Sequence, residues 1–200
     1  MKTNLFRVAL ILLTAVFIHS FAYAKEYDVD PNHSTIGFSI RHLVTTVNGR
    51  FTEFTGMVVY DAQLPKNSKV SFAVKTSSIT TANDKRDTDL RSPNFFDVEK
   101  YPEATFTSTK VMPMGKNKAK VMGNLTIHGV TKPVAFDVEF LGAMKDPWGN
   151  QRAGFVATTT LDRKDFGITW NKVLDNGSLF VGNEVSMKID VEAVEKPANK

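Results

Sequence analysis

An antiparallel all-β fold, either a barrel or a sandwich, is the class that this sequence predicts. Apolar and polar residues alternate with a period of two in one segment after another, for example VAFDVEF at 134–140 and VSMKIDVE at 185–192. Such alternation is typical of strands that bury one face. Because the alternating segments follow one another through short connections, we expect neighbouring strands to pair antiparallel.

The alternating segments define the predicted strands. In chain order they are 35–41, 54–60, 70–75, 104–108, 121–127, 134–140, 154–158 and 185–192. Between them, Asn48-Gly49 predicts a tight hairpin, and DPWG at 146–149 predicts a turn in which proline sets one backbone angle. His128-Gly129 predicts another turn. The chain shows no fixed repeat and no linker, which indicates a single domain.

One region, residues 80–101, has no alternation. Residues 81–90 are typical of a short polar helix that starts from a Ser/Thr cap. Ser-Pro at 92–93 predicts a second helical turn, which carries the adjacent rings of Phe95 and Phe96. Because this is the longest irregular insertion, we expect it to cap one end of the sheet structure.

The first 24 residues are typical of a cleaved secretory signal peptide. Lys2 and Arg7 form a basic start, 8–18 is almost unbroken in its apolar character, and Ala-Tyr-Ala ends at Ala24. A membrane anchor is the alternative, but the apolar run is short for a span of about 20 residues. Cleavage after Ala24 predicts an extracytoplasmic protein, which in a bacterium means the periplasm.

Composition excludes several classes of function. The 25 basic residues fall to 23 when Lys2 and Arg7 leave with the signal peptide, against 21 acidic residues, so the mature net charge is +2. The basic residues are spread along the chain, which argues against a nucleic-acid partner. There is no cysteine, so thiol catalysis, thiolate metal sites and lipoprotein attachment are excluded.

No catalytic or metal-binding motif is present. The mature histidines His33, His42 and His128 do not have the i, i+2 spacing that would put two ligands on one face of a strand. The carboxylates at 84, 87 and 89 lack the glycine and the distal glutamate of a calcium loop, so we expect a solvated helix face. The DRKD segment at 162–165 predicts a charged turn with local ion pairs. The sequence therefore predicts no catalytic residue, metal or cofactor.

Phenylalanine is the most informative residue type. Twelve of the fifteen remain once Phe6, Phe17 and Phe21 leave with the signal peptide, and many lie on the apolar faces of strands. A small barrel either fills its interior with such rings or holds one ligand among them, and the pattern alone does not separate the two. An outer-membrane barrel is a further alternative, but the charged faces of these strands belong in water.

Several motifs, taken in order, resemble the YceI-like family. They are DPNHS at 30–34, IGFSIRH at 36–42, GRF at 49–51, FTG at 54–56, RD at 86–87, LRS at 90–92, FFD at 95–97, YP at 101–102, GNLTIHGVTKPV at 123–134, RKDFGI at 163–168 and Trp170. No single motif is specific, but the ordered set covers nearly all of the mature chain.

The resemblance implies a fold and a function that the pattern does not show. It implies an eight-stranded antiparallel lipocalin-like barrel over 25–194, with a short helical cap at about 80–101 and a flexible tail at 195–200. Such proteins are periplasmic or secreted carriers or scavengers, and a tunnel in the barrel holds a polyprenyl lipid, an isoprenoid quinone precursor or a fatty amide. The resemblance implies neither an enzyme nor a cofactor, and it leaves monomer and dimer open.

The predicted ligand-binding residues follow from the strand faces and the resemblance together. Phe95 and Phe96 either cap the tunnel and contact the ligand or plug the sheet end as core. The candidates for contact with the lipid head group are His33, His128 and Arg152. The predicted lining consists of Phe38, Ile40, Phe54, Phe72, Val74, Phe95, Phe96, Phe106, Leu125, Ile127, Phe136, Val138, Phe155 and Trp170.

A redox function is the alternative hypothesis. Family members are sometimes found alongside b-type cytochromes, so a membrane b-type cytochrome is a candidate partner. In that case His33, His42 or His128 would serve a haem- or quinone-linked redox protein.

Overall fold

The computed structural model describes residues 24–175, 177 and 179–197. The predicted signal peptide, residues 1–24, lies outside the described residues except for Ala24 itself, and so do residues 198–200 of the predicted tail. No helix in the described ranges is both long and apolar enough to cross a bilayer.

Most of the regular secondary structure in the described chain is β-strand. One α-helix, α1, spans Asp84–Arg91, and short 3-10 helices span Pro65–Asn67, Thr76–Ser78 and Arg163–Phe166. The strands are β1 Lys25–Val29, β2 Thr35–His42, β3 Thr45–Phe51, β4 Phe54–Tyr60, β5 Lys69–Lys75, β6 Ile79–Thr80, β7 Glu103–Pro113, β8 Lys118–Ile127, β9 Val130–Lys145, β10 Gln151–Asp162 and β11 Val181–Glu195.

These strands close into an eight-stranded antiparallel barrel, which confirms the predicted fold. Strands β1 and β2 lie end to end along one edge of β11, with Val29 opposite Ala193 and Thr35 opposite Asp190. Strands β3 and β4 pair with them in the same way, and β5 and β6 continue on the next edge. Three strands of the barrel are thus interrupted: β1 with β2 forms one, β3 with β4 the second, and β5 with β6 the third. Strands β7 to β11 supply the other five, and the pairing of β1 with β11 closes the barrel.

The up-and-down order puts the connections at two ends, which we name by what they carry. The helix end has the connections at 43–44, 81–102, 128–129 and 163–180. The loop end has the connections at 61–68, 114–117 and 146–150.

The hairpin predicted at Asn48-Gly49 is wrong. Both residues lie inside β3, and Gly49 pairs with Phe38 on β2. A Cβ atom added at Gly49 would lie less than 3.0 Å from the Phe38 ring. The glycine therefore marks close approach of a ring within a sheet rather than a turn. The hairpin between β2 and β3 is formed by Leu43 and Val44.

The two other predicted turns are present. Gly149 N donates to Asp146 O at 3.0 Å, which closes the turn between β9 and β10. His128 and Gly129 form a two-residue connection between β8 and β9 with φ angles of 51° and 74°. Two positive φ angles in a row match the right-handed twist of a hairpin.

The insertion between β6 and β7 differs from its prediction in two respects. The cap of α1 is Asn83, whose side chain accepts a hydrogen bond from Arg86 N at 3.0 Å, rather than a Ser/Thr. Helix α1 ends at Arg91, and the segment carrying Phe95 and Phe96 consists of hydrogen-bonded turns rather than helix. Pro93 has no N–H and disfavours helical backbone at the residue before it, which explains the stop.

The carboxylate of Asp87, which the sequence predicted to be solvated, is buried. Asp87 is 3% exposed and accepts hydrogen bonds from Thr80 Oγ1, Thr81 Oγ1 and Thr81 N. Burial alone would raise the pKa of Asp87, but the Thr81 and Thr80 hydrogen bonds and the charge of Arg91 hold it below its ordinary value. Asp87 thus ties α1 to β6.

Arg163 is 6% exposed, so DRKD at 162–165 is not the charged turn with local ion pairs that the sequence predicted. Its Nε donates to Gly182 O at 2.9 Å and its Nη1 to Ile168 O at 2.8 Å. The tail prediction also changes, since Glu195 ends β11 and Lys196 N donates to Glu26 O at 2.7 Å.

Candidate functional site: an apolar tunnel

The barrel encloses an elongated cavity of about 390 Å³. Its lining includes Pro65 and Pro113 at the loop end and Trp170 and Phe180 at the helix end. Because one lining runs from one end of the barrel to the other, the cavity is an elongated tunnel.

Most of the predicted lining residues meet in this tunnel. Phe54 is the exception: it follows directly on the break between β3 and β4 and packs in the buried core instead. The predicted residues found in the lining are Phe38, Ile40, Phe72, Val74, Phe95, Phe96, Phe106, Leu125, Ile127, Phe136, Val138, Phe155 and Trp170.

Three phenylalanine rings lie over glycines on a neighbouring strand. The pairs are Phe38 over Gly49, Phe72 over Gly56 and Phe106 over Gly123, and a Cβ at each glycine would come within 3.0 Å of the ring. Each ring thus fills the space of a missing side chain and lies along the barrel wall. This arrangement keeps large apolar rings from filling the interior of a narrow barrel.

The adjacent rings of Phe95 and Phe96 close over the helix end. Phe95 packs against Trp170 with 5.2 Å between ring centroids, and Phe96 packs edge-on against Phe51 at 5.7 Å. Both residues line the tunnel. Irregular backbone allows this, since on a strand the two side chains would point to opposite faces.

Polar lining residues occur at the two ends, and the middle of the tunnel is apolar. At the loop end they are Ser68, Asn117 and Lys118. At the helix end they are His42, Thr81, Arg86, Asp89, Thr105 and Arg163. His42 packs edge-on against Phe180 with 4.4 Å between ring centroids. Such a distribution suits a long apolar chain with polar groups confined to its ends.

None of the three predicted head-group residues lines the tunnel, so their head-group role stays a prediction. His128 packs on the Tyr101 ring with 4.5 Å between centroids. His33 is exposed and its Nδ1 lies 2.8 Å from Asp30 Oδ2. Arg152 donates to Asp30 at 3.0 Å, to Asp146 at 2.9 Å and to Glu192. Arg152 and these three carboxylates thus form ion pairs with one another outside the barrel.

The cluster around Arg152 shifts the pKa values of its carboxyl groups. The hydrogen bond with His33, followed by those from Arg152 and Asn32 N, lowers the pKa of Asp30 to about 2. The hydrogen bond from Arg152 likewise holds the pKa of Asp146 far below its ordinary value. Ligand atoms of Asp30, His33 and Glu192 lie within 4.8 Å of one another, a spacing that would suit a metal ion. The Arg152 guanidinium, which donates to both carboxylates, already supplies positive charge there.

Some lining residues were missed at the sequence level. Tyr60, Phe140, Met187 and Ile189 lie on the same alternating faces as predicted residues, so the period-two pattern contained the signal. Phe180 follows an irregular segment, and no local pattern marks it.

Comparisons with known proteins agree with this architecture. The YceI-like domain model matches residues 27–193. A UPF0312 protein of Vibrio parahaemolyticus is 41% identical over 199 residues, covering 98% of this chain and 100% of the relative. A UPF0312 protein of Pseudomonas putida strain W619 is 42% identical over 191 residues, covering 94% and 96%.

Solved structures show the same fold. The Campylobacter jejuni YCEI protein has a TM-score of 0.67 at 31% identity, covering 78% of this chain and 90% of its own. BcnA of Burkholderia cenocepacia has a TM-score of 0.74 at 22% identity, covering 82% and 98%. A polyisoprenoid binding domain from Saccharophagus degradans has a TM-score of 0.63 at 16% identity, covering 85% and 98%. With a family match across almost the whole barrel, the chain belongs to the YceI-like family.

Proposed function

We propose that this protein is an extracytoplasmic carrier or scavenger that holds a long-chain isoprenoid or similar apolar lipid in the barrel tunnel. The observation that carries the proposal is the tunnel itself, which is apolar along its middle and reaches both ends of the barrel. The solved polyisoprenoid binding domain of similar fold supports the choice of ligand class.

The energetics of burial favour a long chain. Burying roughly 20 carbons at about 0.8 kcal/mol each gives a gross gain of about 16 kcal/mol. Association costs of about 4–15 kcal/mol are subtracted from that gain. Affinity should therefore rise with chain length, and the head group should have the smaller influence.

The proposal is tested first by native mass spectrometry of protein purified from its own compartment, followed by organic extraction. We expect one discrete apolar adduct. A bare mass that persists after incubation with polyprenyl lipids and quinones would overturn the proposal. A Soret band that a His42→Ala variant loses would favour the redox alternative instead.

A matched pair of variants tests the tunnel. Ala157 lines it, and Thr158, the next residue on β10, is exposed. Ala157→Phe puts a ring into the tunnel and should abolish uptake, whereas Thr158→Phe puts the same ring on the outer face and should bind normally. Equal binding by both folded variants would show that the lipid does not occupy this cavity.

A further inference from the structure

The connections at the loop end share a composition that the proposed function does not use. Each carries an exposed apolar side chain close to a lysine. Leu64, 51% exposed, is followed by Lys66, and Met114, 61% exposed, is followed by Lys116. The third connection follows Lys145 and carries Trp148, which is 81% exposed.

These lysines are not used in ion pairs within the described part of the chain. Lys66, Lys116 and Lys145 have no carboxylate oxygen within 4.0 Å there, whereas nearby Lys118 pairs with Glu139 at 3.9 Å. Lys66 also lines a surface cleft beside this end, together with Lys69 and Lys110. Of the acids in these connections, Asp61 accepts hydrogen bonds from Gln63 N and Leu64 N, and Asp146 pairs with Arg152. The three lysines are therefore positive charges at the loop end that have no ionic partner in the described part of the chain.

The helix end differs in charge and in covering. It also exposes apolar side chains, such as Val44 and Val173, but its insertion at 81–101 carries five acidic and four basic residues. Its tunnel opening is covered by Phe95 and Phe96, whereas the tunnel near the loop end is lined by the packed rings of Tyr60, Phe140 and Phe155.

We propose that the loop end docks on an anionic lipid bilayer and that a lipid enters the tunnel there with its apolar chain first. Exposed apolar side chains interleaved with lysines match the boundary between acyl chains and negative head groups. The tunnel lining reaches this surface through Pro65, Ser68 and Gly115. Entry by the apolar chain would leave the lipid head group near Ser68, Asn117 and Lys118. The inference rests on the proposed function for the entry step only, since docking is measurable by itself.

Co-sedimentation of the mature chain with vesicles tests the docking. We expect binding to vesicles that contain phosphatidylglycerol, weaker binding in high salt, and little binding to phosphatidylcholine alone. Each lysine near an anionic surface contributes about fivefold, so Lys66→Gln, Lys116→Gln and Lys145→Gln together should lower partitioning on the order of 100-fold. The matched variant, Lys85→Gln with Lys100→Gln and Lys172→Gln, alters the helix end and should bind normally. Equal losses in the two variants would overturn the proposal.

The two tryptophans report which end contacts the bilayer. Trp148 is at the loop end, and Trp170 lines the tunnel at the helix end. With brominated lipid in the vesicles and the tunnel blocked by Ala157→Phe, a Trp170→Phe variant should be quenched through Trp148, and a Trp148→Phe variant should not. Quenching of Trp170 alone would show docking by the helix end.

The blocked Ala157→Phe protein separates the two proposals. Lacking uptake, it should still dock and still show quenching of Trp148. Docking without any lipid uptake by the unaltered protein would overturn the carrier function and leave the docking surface in place. Lipid uptake without docking on anionic vesicles would overturn the docking surface and leave the carrier function in place.

Discussion

Phe96 packs edge-on against Phe51 with 5.7 Å between ring centroids, while its neighbour Phe95 packs against Trp170. Two consecutive residues thus contact two different parts of the barrel rim, β3 on one side and the segment after β10 on the other. Both also line the tunnel, so cap and core are not exclusive roles for these rings.

The two rings should differ in what their removal costs. Phe95 is the more deeply buried, so Phe95→Ala should destabilise the protein by about 3–5 kcal/mol. Phe96→Ala should cost less stability but lower lipid affinity about tenfold, because ring contact with the ligand is lost. Urea unfolding and displacement of a fluorescent lipid measure the two effects. Unchanged lipid binding by folded Phe96→Ala would remove this ring from the ligand site.

The glycines beneath the rings should be intolerant of a methyl group. A Cβ at Gly56 would lie 2.7 Å from the Phe72 ring and 2.8 Å from Val29. Gly56→Ala should therefore destabilise the barrel by about 1–3 kcal/mol and push Phe72 into the tunnel, which lowers lipid affinity. Adding Phe72→Leu should restore part of the stability.

Gly154→Ala is the control for Gly56→Ala, because its new Cβ would meet Leu141 at an ordinary 3.5 Å. Both changes alter backbone entropy alike, so the difference between them isolates the ring contact. Equal unfolding midpoints for the two variants would mean that the barrel backbone around Gly56 shifts to accommodate the new methyl group. The position of the Phe72 ring would then not depend on the glycine.

The strands were predictable because a strand that buries one face alternates apolar and polar residues, and this pattern is local in the sequence. What was not predictable depends on partners distant in the chain. Asn48-Gly49 has the composition of a hairpin, and only the ring of Phe38 on another strand explains the glycine. Arg152 looked free to bind a head group, but Asp30, Asp146 and Glu192 come to it from three separate segments.

The family resemblance supplied what the pattern left open, which was a tunnel in place of a filled core. Phe54 shows the limit of carrying a strand face over to a site. In the two-residue alternation of β4 it lies on the same strand face as Val58 and Tyr60, which line the tunnel. The break between β3 and β4, however, directly precedes Phe54.

The ion cluster outside the barrel should make stability fall in acid. The pKa of Asp30 is lowered to about 2, so its contribution is present above the ordinary value of 3.8 and is lost as pH falls from there through about 2. Urea unfolding between pH 2 and 7 should show this loss. Asp30→Asn should be less stable at pH 7 and should lose less of its remaining stability in acid.

Asp28→Asn is the matched control for Asp30→Asn. Asp28 pairs with Lys196 at 3.0 Å but is 62% exposed, and exposed pairs contribute roughly 0–1 kcal/mol. If the two variants had the same pH profile, the cluster around Arg152 would not be the source of the acid sensitivity.

Arg163 should be irreplaceable by lysine even though it forms no ion pair within 4.0 Å in the described chain. Its two hydrogen bonds join the end of β10 to Ile168 and to Gly182 near the start of β11. Burial lowers the pKa of this guanidinium, and the carbonyl oxygens it contacts offset part of that cost. A lysine ammonium has no planar fork, so Arg163→Lys should leave one buried carbonyl unpaired and cost about 2–4 kcal/mol in urea unfolding.

Lys164→Gln, at the exposed neighbour, should change stability by less than about 0.5 kcal/mol. Faster amide exchange at Ile168 in Arg163→Lys alone would place the damage in the connection that carries Trp170. Equal stability of both variants would show that the Arg163 hydrogen bonds do not hold this end of the barrel.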